Sequence, residues 1–550
     1  MTRGGLGGLA ILGLLCGRPL SADGHAPPAP DFSWEDHVIL ISPDGNAVDP
    51  DNQSTLKTDF SPLFAKIPND RKILIFIQGG LTAFSDAIDR ASDVRRHTAI
   101  DQAGYYPIFV GWNSNLGSSF AEQFTVDRGR QLDPVRQPIA GVLVGVADLG
   151  GMAAKAPLTL FNQLFVTDIQ RVKPEGSYYD NQTQPVVEPA KGFAAEAMIV
   201  NNEYRQLLLQ PSGTALHVSL GGMSNPPSRD HEQIASYWLT LPGKIVFSPV
   251  IETGGLTAWQ RMRGRVINMF YPPYESDLLA DPGLEQFPEW RYAAAVAPDD
   301  TSPPNRPRVA MASGLVRHPR VGALYLFMNQ LEEAMKTRPP GITLVAHSAG
   351  AIIACEMLAR FPDITYQRIV FMAAACSLND FQRSVIPYLQ VHDDPKPDAA
   401  GHVPSIGDPT EFYNLCLHPQ HEIDEWRLGD TYSAAWAFAE PIAERGSLLE
   451  WIDNFYSTPE SFMDRMLGKW TNAIEASHII PTKIRNFVTI KGFGYNGAQP
   501  YIPVPDFDSD AYMRHAQALQ NGGGPQTHGE FSEWPFWEPW FFEANPAPSP

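Results

Sequence analysis

The sequence predicts an α/β fold with a mostly parallel central sheet flanked by helices. Short continuous apolar runs are typical of strands that are buried on both faces, and amphipathic segments lie between them. This alternation disappears over residues 115–319. We therefore predict a core formed by residues 36–114 and 320–550, with a large insertion or cap region, 115–319, between the early strands and the later ones.

A strand–helix–strand unit opens the predicted core. Residues Lys72–Ile77 form an apolar run that ends at Gln78-Gly79-Gly80. Residues 86–98 have a helical pattern, and 106–111 form a second buried strand. This spacing indicates a βαβ unit, the building block of parallel sheets.

The alternation of strands and helices returns after the insertion. We predict strands over 342–345, 368–375, 412–417 and 486–491, and helices over 321–337, 349–360, 447–456 and 462–473. These elements extend the sheet that the first unit begins.

The composition excludes several classes of partner. The chain carries 61 acidic against 41 basic residues, a formal net charge of −20, which argues against binding nucleic acid or anionic membranes. The 14 histidines lack metal-ligand spacing, and no phosphate-binding glycine loop is followed by lysine. We therefore predict no metal and no cofactor. Cys355, Cys376 and Cys416 are expected to be buried apolar residues rather than a disulfide framework.

The N-terminus has the pattern of an export signal. Arg3 precedes an apolar stretch over 6–16, and Leu20-Ser21-Ala22 offers a small-residue cleavage site. We predict a signal peptide over 1–22 and a flexible, Pro- and Ala-rich arm over 23–35. The protein is then exported to the periplasm or secreted, and Cys16 leaves a lipid anchor open.

The most informative motif is Ala346-His347-Ser348-Ala349-Gly350, which joins an apolar strand to an amphipathic helix. It matches the nucleophile elbow G-x-S-x-G with alanine in the first glycine position. Such a turn lifts the serine hydroxyl off the sheet and aims the next backbone N–H, that of Ala349, at a developing oxyanion. We interpret Ser348 as a nucleophile. The alternative is a serine that caps a helix.

With this motif, residues 36–112 and 320–542 resemble the α/β-hydrolase superfamily, its esterase and lipase members in particular. The resemblance implies an α/β-hydrolase fold and a serine hydrolase that cleaves a small-molecule or lipid carboxylic ester through an acyl-enzyme. No cofactor is implied. Two alternatives stay open: an acyltransferase on the same fold, and a non-catalytic scaffold that acts as a binding module.

The resemblance assigns further roles by position. The second oxyanion donor is expected at Gly80 or Leu81, although Gln78 stands where the family often has histidine. The general base is expected after the last strand, which points to His528, followed by the aromatic segment Trp534–Trp537. His478 and His515 are the competitors. His347 is expected to pack or form a hydrogen bond away from Ser348.

The carboxylate of the triad remains ambiguous in the sequence. The family order is serine, acid, histidine. Glu422 follows the strand 412–417, the usual position, and Asp380 follows the preceding strand, a known variant; Asp424 and Glu425 lie close to the first candidate. For either candidate, the alternative is a carboxylate at the start of a helix.

The insertion and its borders carry weaker signals. Ile139–Val166 is either a buried helix or a lid that meets lipid, which would give the protein peripheral membrane contact. Trp112–Asn115 lies where the fold builds its pocket. Arg261, Arg263 and Arg265 either bind an anion or form a solvated face with salt bridges. The oligomeric state is not predicted.

Overall fold

The structure is a computed structural model that describes only part of the chain. In the core it describes residues 34–43, 45–49, 56–57, 59–80, 84–114, 322–336, 341–393, 409–417, 422, 447–453, 462–475, 479–493, 525, 527–534 and 536. Within the insertion it describes 126–127, 130–131, 179–180, 184–185, 217–219, 255 and 258–270. The predicted signal peptide, most of the arm, Leu81, Ile139–Val166, His478, His515, Asp424 and Glu425 lie outside the described residues.

The strands are as follows in chain order. They are β1 (Val38–Ile41), β2 (Ala47–Val48), β3 (Leu56–Lys57), β4 (Lys72–Ile77), β5 (Tyr105–Trp112), β6 (Val126–Asp127), β7 (Arg130–Gln131), β8 (Tyr179–Asp180), β9 (Gln184–Pro185), β10 (His217–Ser219), β11 (Ile342–His347), β12 (Tyr366–Met372), β13 (Glu411–Leu417) and β14 (Val488–Phe493). Among them, β6 pairs with β7 and β8 pairs with β9 in two short antiparallel ribbons.

The other strands form one central sheet of ten strands in the order β10-β14-β13-β12-β11-β4-β5-β1-β2-β3. Every pairing from β10 to β1 is parallel, and only β2 and β3 at the far edge pair antiparallel. The central strands β4, β5 and β11 are buried almost throughout, as expected for apolar runs covered on both faces. The predicted mostly parallel α/β sheet is therefore confirmed.

Helices flank this sheet. They are α1 (Trp34–His37), α2 (Ser61–Lys66), α3 (Phe84–Ser92), α4 (Val94–Gln102), α5 (Ala323–Lys336), α6 (Gly350–Arg360), α7 (Leu378–Asp393), α8 (Leu448–Trp451) and α9 (Trp470–Glu475), with short 3-10 helices at Phe462–Asp464, Thr482–Phe487 and Gly529–Glu533. Residues 258–270 are also helical. Among the described residues, no helix is both long and apolar enough to cross a membrane.

Several predicted elements differ in their extent. The last strand, predicted over 486–491, begins only at Val488, because the 3-10 helix Thr482–Phe487 precedes it. The helix predicted over 86–98 is two helices, α3 and α4, separated at Asp93, a residue type that favours helix starts. The strand predicted over 368–375 ends at Met372, because Ala373 has a positive φ of 43° that takes the chain out of the strand.

The helix predicted over 462–473 is interrupted. A short 3-10 helix precedes 465–469, and α9 follows. In the interruption, the N–H groups of Leu467 and Gly468 donate to the carbonyls of Cys376 and Ala374, both at 2.8 Å. These bonds satisfy backbone groups that a continuous helix would have satisfied within itself.

Two described parts of the insertion join the core. Strand β10 extends the sheet beside β14. The helix 258–270 contacts the chain just after β1 and just after β5. The Asn268 amide donates to the Pro43 carbonyl at 3.0 Å, and the Arg265 guanidinium donates to the Asn113 carbonyl at 2.7 Å. The chain returns to the core where the Gly322 N–H donates to the Phe270 carbonyl at 2.8 Å.

Candidate active site

The turn between β11 and α6 is a strained elbow with Ser348 at its apex. Ser348 has a φ of 51°, a conformation that residues other than glycine rarely adopt. Its N–H donates to the Met372 carbonyl at 2.9 Å, and its carbonyl accepts from the Ala375 N–H at 3.0 Å. Gly350 is needed beside it, because a Cβ there would lie 2.7 Å from the Gln78 carbonyl oxygen.

The side chains of Ser348 and His528 meet above this elbow. Nε2 of His528 lies 2.8 Å from Oγ of Ser348, although 180 residues separate them in the chain. Both residues are buried, with 1% and 7% of their surfaces exposed. Because a hydroxyl proton donated along this contact must be accepted by Nε2, the arrangement suits a neutral imidazole that acts as a base toward the serine.

Aromatic packing holds the segment that carries His528. This residue precedes the 3-10 helix Gly529–Glu533. Phe531 and Phe536 stack around Phe493 at the end of β14, with ring centroids 5.8 and 5.3 Å from it, and Trp534 packs on Phe536. The aromatic residues after the histidine thus fix its loop to the last strand of the sheet, as the sequence suggested.

A second histidine, His347, supports the first. Its Nε2 lies 2.9 Å from the backbone carbonyl oxygen of His528, and the two rings lie 5.3 Å apart. Burial lowers the pKa of His347 to about 4. Burial also lowers the pKa of His528 well below its usual value, and His347 contributes to that shift. Both rings are therefore neutral at neutral pH.

The loop after β4 lies against the nucleophile. A Cβ on Gly79 would lie 3.1 Å from Cβ of Ser348, and one on Gly80 would lie 3.0 Å from Cβ of Ala349. The structure thus brings Gly80 next to Ala349 at the N-terminus of α6, where the helix dipole favours negative charge. The second candidate for this donor, Leu81, lies outside the described residues.

Gln78, which stands where the family often has histidine, supports this loop from below. Its side-chain amide donates to the Ala87 carbonyl at 3.3 Å, and its backbone carbonyl accepts from the Trp112 indole at 3.1 Å. Trp112 is therefore buried and supports the loop, and the pocket role predicted for residues 112–115 stays a prediction.

The two candidate acids have different surroundings. The Asp380 carboxylate accepts from the Ser377 N–H at 2.9 Å, while the Ser377 hydroxyl accepts from the Asp380 N–H, which together form a capping box at the start of α7. Asp380 also pairs with Arg263 at 3.4 Å. Glu422 is fully buried beyond β13, and its carboxylate accepts from the Ser447 hydroxyl.

Neither carboxylate bonds to the base. Within the described residues, Nδ1 of His528 is buried and has no hydrogen-bond partner. The sequence thus located a serine and a histidine that the structure brings together, and two acids that it does not bring into hydrogen bonds with that histidine.

The helix 258–270 packs against the loop after β4. A Cβ on Gly80 would lie 3.3 Å from Cε of Met262, so this buried methionine sits over the loop that contacts Ala349. Sequence reasoning missed Met262, because nothing local distinguishes it from a core residue. On the same helix, Arg261 is half-buried, Arg263 pairs with Asp380, and Arg265 is buried and donates to the Asn113 carbonyl. An anion site at these arginines stays a prediction.

The cysteines lie close to the site but carry no catalytic signal. Cys355, Cys376 and Cys416 are buried and free, which confirms the prediction made for them. Burial raises the pKa of Cys376 and of Cys416 well above the usual thiol value, so both are protonated, weakly nucleophilic thiols. In the part of the chain that the structure describes, no group of His, Cys, Asp and Glu could hold a metal ion.

Comparisons of the chain with protein-family models, with curated proteins and with solved structures find no match. The geometry of Ser348 and His528 is therefore what indicates a function for this chain.

Proposed function

We propose that the chain is a serine hydrolase of the α/β-hydrolase fold that cleaves carboxylic esters through an acyl-enzyme. The observation that carries the proposal is the 2.8 Å contact between Nε2 of His528 and Oγ of Ser348, at a turn where Ser348 has a φ of 51°. A serine that only caps a helix needs neither a strained backbone nor a buried imidazole at its hydroxyl. Both features are those of an activated nucleophile.

In the proposed reaction, neutral His528 takes the proton of Ser348 as Oγ attacks the ester carbonyl. The oxyanion of the tetrahedral intermediate accepts hydrogen bonds from the Ala349 N–H and from an N–H at Gly80 or Leu81. Each such donor contributes a factor of about 10² to 10³ in rate. Protonated His528 then gives its proton to the leaving alcohol, and water, activated by the same base, releases the acid.

We propose Glu422 as the carboxylate that orients His528. Asp380 caps α7 and pairs with Arg263, which hold its carboxylate at the start of that helix. The Glu422 carboxylate accepts from the Ser447 hydroxyl, and this bond would have to be exchanged for one to His528. Glu422 is buried, and it follows β13, the neighbour of the strand that leads to the His528 segment. Its role requires the side chain to reach Nδ1 of His528 in the substrate complex, where catalytic hydrogen bonds often tighten.

Labelling with a fluorophosphonate probe, followed by peptide mapping, tests this proposal. We expect the label on Ser348, its loss in Ser348→Ala, and a strongly reduced labelling rate in His528→Ala. Ser384→Ala is a matched control, since it removes another buried serine hydroxyl, on α7. A folded wild-type protein that takes no label would contradict hydrolysis and favour the non-catalytic scaffold.

Two further possibilities come from the sequence alone: that the acyl group is transferred to an alcohol instead of water, and that the protein is exported with removal of residues 1–22. Product analysis in the presence of an alcohol distinguishes hydrolysis from acyl transfer, because a transferase yields a new ester. Export with removal of residues 1–22 is tested by sequencing the N-terminus of the protein recovered from outside the cytoplasm.

A further inference from the structure

His347 connects the two halves of the candidate site. It is the last residue of β11 and directly precedes Ser348, so its position is tied to the nucleophile. Its ring reaches the segment that carries the base, where Nε2 lies 2.9 Å from the carbonyl oxygen of His528. The bond spans 181 residues of chain.

The partner of this bond fixes the proton on the His347 ring. A carbonyl oxygen only accepts hydrogen bonds, so Nε2 of His347 must carry the hydrogen. In a neutral ring Nδ1 then carries none. On that side the ring abuts the loop after β4, since a Cβ on Gly79 would lie 2.6 Å from Nδ1. The ring is therefore enclosed between Gly79 and the His528 segment.

Few other polar contacts locate His528. Its Nε2 bonds to Ser348, and its Nδ1 has no hydrogen-bond partner among the described residues. The aromatic cluster fixes Phe531, Trp534 and Phe536, which follow it by three or more residues. Among the described residues, two polar contacts lie next to the Cα of His528: the one from His347 to its own carbonyl, and the bond from the Glu530 N–H to the Thr527 carbonyl at 3.2 Å, which lies within the same short segment. The contact from His347 is thus the one that ties this backbone to the strand that carries Ser348.

We propose that His347 is a positioning residue that holds the backbone of His528 at the distance from Ser348 that proton transfer requires. The inference rests on the proposed hydrolase function. Catalysis is sensitive to such placement, because a shift of about 1 Å in a reacting group costs up to roughly 100-fold in rate. His347 itself does not touch the reacting atoms in this proposal.

Two variants separate the hydrogen bond from the bulk of the ring. His347→Gln retains an N–H donor near the position of Nε2, whereas His347→Leu fills space and donates nothing. His392→Leu is the matched control. His392 is also buried, and its Nε2 bonds to a backbone carbonyl, that of Pro362, at 2.7 Å on the far end of α7.

We expect His347→Leu to lower kcat about 10-fold to 100-fold with KM within about twofold, and to slow fluorophosphonate labelling by the same factor. His347→Gln should recover kcat to within about threefold of the wild type. His392→Leu should lower the melting temperature about as much as His347→Leu while leaving kcat unchanged.

Two outcomes overturn the inference. One is a His347→Leu enzyme with wild-type kcat and labelling rate. The other is equal loss of kcat in His347→Leu and His392→Leu, which would show that the loss reflects stability alone. Failure of the proposed function is distinct, because in that case the wild-type protein itself would take no label.

Discussion

Two neighbouring strands end in turns of the same unusual kind. β11 ends just before Ser348 and β12 just before Ala373, and both of these residues have positive φ, 51° and 43°. The strands pair in register, with His347 opposite Met372. A residue other than glycine in such a conformation costs about 1–3 kcal/mol, so each turn must be held by its surroundings. One turn presents a hydroxyl to a histidine, and the other presents only a methyl group.

The difference shows that the second turn supports the first. Ser348 donates to the Met372 carbonyl and accepts from the Ala375 N–H, so the residues on both sides of Ala373 hold the nucleophile. The Ala373 N–H in turn donates to the Leu415 carbonyl at 2.8 Å. The first turn is strained where it presents a buried hydroxyl to His528, and the second is strained where it holds the first turn in place.

A buried ionic cluster lies behind the supporting turn. Lys469 pairs with Glu450 at 3.0 Å and with Asp453 at 3.4 Å, and Asp453 also accepts from the Met466 N–H at 2.8 Å. This cluster holds the segment 465–469, whose N–H groups bond to the turn after Ala373. We expect this cluster to stabilise the fold and to take no direct part in catalysis.

The largest effect is expected from removing the hydroxyl group of the first turn. Ser348→Ala should lower kcat for an ester substrate by roughly 10⁴-fold to 10⁶-fold, because the nucleophile and its base act as a unit. The far-ultraviolet spectrum and melting temperature should change little. A variant that keeps more than a tenth of its activity would contradict the assignment of the nucleophile.

The second largest effect distinguishes the two candidate acids, Glu422 and Asp380. Asp380 follows the turn at Ala373. Glu422→Gln should lower kcat by up to roughly 10⁴-fold, because the amide stabilises the wrong tautomer of His528. Asp380→Asn should leave kcat within about threefold and lower the unfolding free energy by about 1 kcal/mol through the weakened cap of α7. The reverse ranking in steady-state kinetics would assign the acid role to Asp380.

Removing a charge from the ionic cluster should affect stability more than catalysis. Asp453→Asn leaves Lys469 and Arg465 with less compensation in a buried site, which costs about 3–5 kcal/mol when a buried pair is broken. Denaturant unfolding measures this loss. Activity per folded molecule, titrated with the fluorophosphonate, should stay within about threefold. A soluble, equally stable variant would show that the cluster contributes no net stability.

Acid should act on the first turn through the buried histidines. His347, with a pKa of about 4, and His528, with a pKa well below its usual value, stay neutral in the folded protein when the unfolded chain begins to take up protons. The contribution of these two groups to stability is therefore constant above about pH 6.5 and falls below it, by up to about 1.4 kcal/mol per pH unit for each group. The acid limb of kcat/KM should lie below pH 6.5. A limb above this value would contradict a buried neutral base.

The smallest effect concerns strain in the supporting turn. Ala373→Gly relieves the cost of a positive φ but increases the freedom of the unfolded chain, so the unfolding free energy should change by less than about 1 kcal/mol. The kcat should be unchanged, since the methyl group of Ala373 has no role in the reaction. A large loss of activity would show that this methyl group locates Ser348.

Much of the sheet and the serine–histidine pair could be predicted because their signals are local. The apolar run of β4, the small residues around Ser348 and the aromatic residues after His528 are visible within short windows. The end of β12 was predicted three residues late, because Ala373-Ala374-Ala375 carries no turn signal and its geometry depends on Leu415 and Gly468, far away in sequence.

The identity of the triad carboxylate and the position of Met262 could not be predicted, because both depend on tertiary structure. A carboxylate after a strand has the same local pattern whether it caps a helix, as Asp380 does, or orients a histidine. Met262 belongs to the insertion, where strand–helix alternation is missing, and only the folded chain brings it against Gly80. Such residues are identified by their contacts with residues distant in sequence, and not by their neighbours along the chain.

The junction at Gly322 has a practical consequence for engineering. Its N–H bonds to the Phe270 carbonyl, a Cβ there would lie 2.0 Å from the Met269 carbonyl oxygen, and the next N–H, of Ala323, donates to Gly45. The two ends of the segment 271–321 therefore meet at a point that the core itself fixes. Phe270 and Gly322 thus offer two adjacent, anchored positions for the ends of a grafted flexible segment, and each doubling of its length costs only about 0.6 kcal/mol in closure entropy.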